Sequence, residues 1–360
     1  MVDRMRRLLP LALAVSAVGL AAPAVTSVPA GAAGGRAAVS VADGVLRWRV
    51  EFPQRVSRRD LVSARPCLTL TARSGATVLC VTSRARAKIT RPDASTFVVP
   101  ATVKRAAARS DWLVKIRQAD LQLRPASAGL SASCTDGSCR PMTGSVELPP
   151  LRLTRCRAQG PWLVHAGDPD VGRAVALTFD DGPGPSTRAV MRVLRKARVL
   201  GTFFQLGRMI TADPAILPTM AAAGHVIGNH SFTHPVLTAS DAPELRRTTR
   251  AIEAAGVATP CLFRAPYGDN PTDVVRLARA QRMVTVHWNT DPGDWRGLTT
   301  NQIVATTLAQ TRPGSILVFH DGEHHPATVA ALPRIIDTLQ QRGYRFLTVP
   351  ELLRLPVHYS

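Results

Sequence analysis

From about residue 171 to residue 349 the chain repeats one pattern: a short apolar run, a polar turn, then a longer segment with apolar residues at helical spacing. The apolar runs are 175–179, 201–206, 225–228, 261–263, 283–288, 315–319 and 344–349. Helical segments begin near Ser186, a candidate N-cap, and continue over about 214–223, 242–255, 272–280, 300–310 and 328–342. Strands alternating with helices imply parallel β/α units. Seven such strands predict a distorted (β/α)7-type barrel with incomplete closure. Barrels of this kind place their chemistry at the C-terminal ends of the strands. Asp180, His230, Arg264, Asp294 and His320 all fall at the end of a predicted strand or in the turn just after it. Polar residues scattered over helix exteriors would not share that placement.

The first 150 residues have a different texture. Arg4, Arg6 and Arg7 precede an apolar stretch over about 8–20, and small-residue sites follow at Ala22-Pro23-Ala24 and Ala30-Gly31-Ala32. This predicts a signal peptide over 1–32. Its Ala-rich stretch, interrupted by Pro10 and Gly19, disfavours an uncleaved anchor. No later apolar run is long enough to span a bilayer. The expectation is a secreted protein, soluble or wall-associated, with no stable membrane span after cleavage.

Residues 38–154 show partial alternation, as in 45–50 and 112–117, with frequent turn clusters. They predict a small, mostly-β accessory domain. A linker over 155–172 and a catalytic domain over 173–355 complete the expected organisation.

The six cysteines of an exported chain read as disulfides. Cys134 with Cys139 and Cys67 with Cys80 suit local loops, which leaves Cys156 with Cys261. That set is one of about fifteen connectivities open to six cysteines.

The formal net charge is +20, and between Arg36 and Arg155 there are 21 Lys and Arg against 8 Asp and Glu. Such a field attracts polyanions, so an anionic wall polymer is an expected partner of the N-terminal region. No zinc finger, ribonucleoprotein motif or helix-turn-helix pattern supports nucleic-acid binding.

Asp180 and Asp181 are adjacent at a strand end, so their side chains point to different sides. One can bind a metal while the other acts as a base. His230 and His234 stand four apart, a spacing that on a helical turn places both rings on one face. With Asp181 they form three ligands and an open position, as catalytic zinc requires. A metalloprotease would carry Glu where Ser231 stands. A two-His, one-carboxylate set also suits iron in oxygenases, but that reading leaves the remaining motifs without a use.

The five motifs are Thr178-Phe179-Asp180-Asp181-Gly182-Pro183, His230-Ser231-Phe232-Thr233-His234, Arg264-Ala265-Pro266-Tyr267-Gly268, Asp291-Pro292-Gly293-Asp294-Trp295 and Val318-Phe319-His320-Asp321. Together they resemble the polysaccharide deacetylase (NodB homology) domain of carbohydrate esterase family four. The resemblance covers about 171–353. It implies hydrolysis of N-acetyl groups on amino-sugar polymers, with peptidoglycan N-acetylglucosamine first and chitin or chitooligosaccharides next. Acetylxylan ester hydrolysis is a further alternative.

By that resemblance Asp180 is the base, and Asp181, His230 and His234 hold one divalent ion. Zinc is the first choice, and Co2+, Mn2+ and Ni2+ are alternatives. Arg264 pairs with Asp180 and keeps it ionised. The Tyr267 N–H helps hold the oxyanion. His320 is the acid, held protonated by Asp294, and Trp288 and Val318 line the acetyl pocket.

Pro292 replaces the hydroxyl residue usual in the fourth motif, and Asp291 reads as a turn residue. The resemblance gives no role to His225, His287, His324 or His325, and His165 and His358 read as structural. Two rival readings are a non-catalytic wall-glycan-binding protein and a wall anchor whose basic module is the functional part. The first would be marked by loss of the base or a metal ligand, and none is lost.

Overall fold

The computed structural model describes residues 39–359 except 43–44, 53–56, 73–74, 84–85, 91–95, 106–111, 118–125, 138, 140, 149–152 and 169–170. The predicted signal peptide lies outside the described residues. Among them, no helix is long and apolar enough to cross a membrane.

Two antiparallel sheets build the N-terminal region. One runs in the order Val39–Ala42, Val45–Val50, Trp112–Arg117, Thr102–Arg105. The other runs Met142–Leu148, Ala126–Cys134, Pro66–Ala72, Gly75–Ser83, Arg86–Thr90, Thr96–Pro100. Alternation sets the buried face: in Val45–Val50 the side chains of Leu46, Trp48 and Val50 are buried and those between them partly exposed. Leu68, Leu79, Ile89 and Val114 from both sheets join Trp48 in one apolar cluster. The helix Arg58–Ala64 starts on a capping box made by Ser57 and Asp60. Cys67–Cys80 joins directly paired residues of neighbouring strands, and Cys134–Cys139 closes a turn.

The C-terminal half is the predicted parallel sheet with helical crossovers. Its strands are β1 Leu163–Val164, β2 Ala174–Asp180, β3 Thr202–Gln205, β4 Val226–Asn229, β5 Leu262–Phe263, β6 Val284–Val286, β7 Ile316–His320 and β8 Arg345–Phe346. The order is β1-β6-β5-β4-β3-β2-β7, with β8 also on β2. There is one more strand than the sequence pattern indicates. β1 lies in the segment read as linker, and its two residues are too few to show periodicity. Between β6 and β7 the barrel is joined by a single bridge, Thr290 to Leu317.

Parity along β2 positions the site. Val175, Leu177 and Phe179 face the helix layer, in one cluster with Val190, Leu194 and Ile335. Ala174 and Ala176 face inward, with Phe204, Val284 and Ile316. The same alternation turns Thr178 and Asp180 inward. Phe179, facing out, lies against Phe203 at 4.8 Å and Phe319 at 5.9 Å between ring centroids. β7 pairs with β2 in parallel register, Thr178 beside Val318 and Asp180 beside His320. Two residues distant in sequence thereby stand side by side on the inner face.

The segment before β2 is strapped to the barrel at several points. Thr285 N–H donates to Trp162 O at 2.9 Å and Gly167 N–H to Gly314 O at 2.8 Å. A Cβ at Gly167 would overlap the Leu352 side chain, which would have to move to admit it. Leu153–Cys156 pairs antiparallel with Val357–Tyr359, and Cys156 is bonded to Cys261. That last disulfide spans 105 residues. Replacing both Cys156 and Cys261 by Ser should cost about 2–4 kcal/mol of stability, read as a lower urea midpoint with a steeper slope, because the denatured chain is no longer held compact by the cross-link.

Candidate active site

Arg264 lies fully buried just beyond β5. Its Nε donates to Val286 O (3.0 Å), Nη1 to Thr178 Oγ1 (2.7 Å) and Asp180 Oδ1 (2.8 Å), and Nη2 to His287 O (3.3 Å). The guanidinium also lies over Phe204 at 4.2 Å. Burial pushes the Arg264 pKa down, and the Asp180 charge and bond oppose that shift. Asp180, the last residue of β2, is itself buried, so Arg264 is its fixed counter-charge.

Asp181 follows in a left-handed conformation, φ 71°, which turns its carboxylate toward the second motif. Its Oδ1 lies 3.3 Å from both His230 Nε2 and His234 Nε2. That oxygen is buried and accepts no hydrogen bond. His230 Nδ1 lies 2.8 Å from Arg264 O, which holds the proton on Nδ1 and leaves Nε2 a lone pair facing Asp181. The ligand-type atoms Asp181 O, His230 N and His234 N all lie within 4.8 Å of one another.

The electrostatics of this cluster also ask for a cation. Burial lowers the His230 pKa, yet Asp180 and Asp181 outweigh it and raise the pKa overall. Burial likewise works to raise the Asp181 pKa, but His230, His320 and His234 hold it well below the usual carboxylate range. One unpaired carboxylate oxygen and two convergent ring nitrogens fit a divalent ion of borderline softness, such as zinc.

The expectation of a helical turn between His230 and His234 is corrected. The segment is an irregular loop, with Ser231 at φ 71° and His234 at φ 66°. Side chains replace the missing helical bonds. Asn229 Oδ1 accepts from Ser231 N–H, and Ser231 Oγ accepts from His234 N–H. Glu244 Oε2 accepts from the N–H groups of Phe232 and Thr233. The two rings meet at 5.1 Å between centroids. Ser186 occupies the expected N-cap position of the helix Thr187–Ala197, but its side chain makes no cap bond and instead accepts from His325 N–H.

Across the inner face, His320 Nδ1 lies 2.8 Å from Asp294 Oδ1. Asp294 Oδ2 accepts from His320 N–H (3.0 Å) and Thr328 Oγ1 (2.9 Å). Burial opposes charge on His320, but the bond and charge of Asp294, with Asp180 and Asp181 beyond, raise its pKa to about 9. Asp291 is a turn residue, accepting from Gly293 N–H at 2.7 Å.

Tyr267, at φ 61°, is exposed, with its ring 4.5 Å from that of His234. Trp288 is half-buried beside the Arg264 guanidinium, and Val318 is buried on β7 two residues before His320. The remaining histidines stand apart from the ligand set. His225 is buried and accepts from Gly201 N–H, burial pushing its pKa down to about 4. His165 stacks edge-on against His287.

Sequence reasoning assigned nothing to Thr178, Thr187, Gln205, Asp321 or Thr328. Buried Asp321 accepts from Thr187 Oγ1 and from Gln205 Nε2, and its N–H donates to Asp180 O. Burial pushes its pKa up to about 7. Together these groups brace the turn after β2, where a Cβ on Gly184 or Gly322 would overlap the facing backbone. The signal available was the adjacency of Asp321 to His320; the hydroxyl and amide partners carried none.

The family described as polysaccharide deacetylase matches residues 167–286. A chitooligosaccharide deacetylase of a Bradyrhizobium strain is 37% identical over 204 residues, covering 52% of this chain and 93% of the relative. The crystal structure of a peptidoglycan N-acetylglucosamine deacetylase superposes with a TM-score of 0.52 at 31% identity, covering 54% of this chain and 94% of that one. A CE4 family pseudoenzyme from Bacillus anthracis also superposes, at TM-score 0.50 and 27% identity, covering 54% of this chain and 69% of that one. The fold alone therefore does not carry activity; the side chains within it must.

Purified protein is expected to hold about one divalent ion per chain, as for a three-ligand site. His230→Ala should reduce that content to near zero by elemental analysis. Undiminished metal in the variant would remove the assignment.

Proposed function

Since the chain belongs to the polysaccharide deacetylase family, a family of metal-dependent hydrolases of N-acetyl groups, we propose that it removes acetyl groups from N-acetylglucosamine in peptidoglycan outside the cell. One observation carries the catalytic reading: Asp180 and His320 are register partners on β2 and β7, beside the convergence of Asp181, His230 and His234. A base and an acid thus stand side by side, next to one ligand cluster.

Asp181, His230 and His234 would hold the divalent ion, which when bound supplies Lewis-acid polarisation of the acetamide carbonyl and eases deprotonation of water. Asp180 takes a proton from the attacking water as the C–O bond forms. Arg264 holds Asp180 in place and balances its charge. The Tyr267 N–H donates to the developing oxyanion, and Trp288 with Val318 accommodates the methyl group. As the C–N bond breaks, His320 Nε2 delivers a proton to the nitrogen. The products are acetate and a free amine on the sugar.

Peptidoglycan is favoured by a relative of that name, by the N-terminal segment that resembles an export signal, and by the excess of basic residues in the N-terminal third. That basic region is suited to hold an anionic wall polymer. The 37% identical relative named for chitooligosaccharides supports a second substrate reading. Acetate release from peptidoglycan, chitooligosaccharides and acetylxylan by the purified chain decides among them. Release from chitooligosaccharides alone would overturn the first.

Asp180→Asn should abolish turnover, about a thousandfold or more, while metal content stays near that of the wild type. The raised His320 pKa means the acid is competent below that pKa and lost as pH rises through it, so activity should fall toward pH 9. Asp294→Asn removes the group that favours the imidazolium and should move this alkaline limb to lower pH. A pH–rate profile with an unmoved limb would contradict the pairing.

A further inference from the structure

Thr328 takes no part in the steps above, yet its hydroxyl reaches the carboxylate that holds the acid. Both side chains are buried, and Thr328 Oγ1 donates to Asp294 Oδ2 at 2.9 Å. Asp294 Oδ1 meets His320 Nδ1, and its Oδ2 accepts from the His320 N–H. With partners on both oxygens, this carboxylate cannot turn about its Cβ–Cγ bond without losing contacts. Thr328 is the third residue of the helix Pro326–Gln341, whose first turn offers positive backbone dipoles to an anion. The hydroxyl is directed away from its own helix backbone, toward a residue 34 positions earlier.

We propose that Thr328 is a positioning residue for the acid step: by fixing the rotamer of Asp294, it keeps Oδ1 on His320 Nδ1 and directs Nε2 toward the leaving nitrogen. This rests on the reading of His320 as the acid. Two effects compete when the hydroxyl is removed. A carboxylate with one donor fewer is more basic, which by itself strengthens its hold on the imidazolium. A carboxylate left with the His320 N–H as the one remaining donor on Oδ2 turns more readily and spends less time on Nδ1, which weakens that hold. The proposal requires the second effect to prevail. The other groups facing His320 are Asp180 and Asp181 at the end of β2 and His325 at the start of the helix, 6.0 Å away between ring centroids. Glu323 faces His325 in turn. None of these is altered by the substitution.

Thr328→Val keeps the shape and deletes only the hydroxyl. The expected result on an N-acetyl substrate is kcat lowered about tenfold, the scale of one hydrogen bond to a charged group, with KM within about twofold. The alkaline limb should fall by about half a pH unit or more, and the loss should be smaller on an activated acetate ester, whose leaving group needs no proton. Thr328→Ser should recover most of the rate. Thr328→Ala serves the same comparison if the valine variant does not fold by thermal melting.

NMR titration of the His320 ring in full-length wild type and variant reads the positioning without turnover. An unchanged His320 pKa and an unchanged kcat in Thr328→Val would overturn the proposal, as would a serine variant as impaired as valine. His320→Ala separates the two ideas. Wild-type amide turnover in that variant would overturn the acid assignment and the role of Thr328 in it, even where the NMR shift is present.

Discussion

The base and the histidine loop at the open end of the barrel are arranged around a cation buried inside it, the Arg264 guanidinium. It donates to Thr178 and Asp180 on β2, to Val286 on β6 and to the His287 carbonyl just beyond. A buried charge with unmet donors is costly, and one with matched acceptors holds those acceptors in fixed places. Arg264 also lends its own carbonyl to His230 Nδ1. One residue therefore orients both the base and a metal ligand, from a position that neither substrate nor solvent reaches.

Around that anchor the negative groups serve several positive ones. Asp180 faces Arg264 at 2.8 Å and stands 4.0 Å from His230. Asp181 faces both ligand histidines, and the field of the two aspartates extends to His320. Bringing a divalent ion to this cluster satisfies the oxygen left without a hydrogen bond, whereas a proton on His230 competes for the same place. The acid is supported separately, by Asp294 from a different loop, so its protonation depends chiefly on a partner outside the ligand set.

The strands are regular, but several residues at or beside the site lie in strained turns. Asp181, Ser231, His234 and Tyr267 all adopt left-handed φ values, each costing about 1 kcal/mol or more for a residue with a side chain. Side-chain bonds hold them: Glu244 and Asn229 under the histidine loop, and Asp321 with Thr187 under the turn after β2. A rigid parallel sheet below and braced loops above suit a site that must hold several groups in register.

Much of this was legible in the chain itself. Local rules suffice for the alternation of strands and helices, the inward parity of Thr178 and Asp180, and the placement of four of the five motifs at strand ends, because each depends on a period of 2 or 3.6 residues. The fourth motif instead lies in the loop beyond β6. Helix limits at Thr272–Ala280 and Thr300–Gln310 follow from such patterns alone. Other features depended on contacts between distant segments. The two-residue strand β1 exists only because β6 offers it an edge. The loop between His230 and His234 takes its form from Asn229 and Glu244 rather than from helical spacing. Thr328 and Asp321 gain meaning only where the fold sets them against Asp294 and the turn after β2. Sequence determined which residue types stand at which strand ends; tertiary packing decided which of them touch, because contact at hydrogen-bond distance between segments far apart in the chain has no local period to announce it.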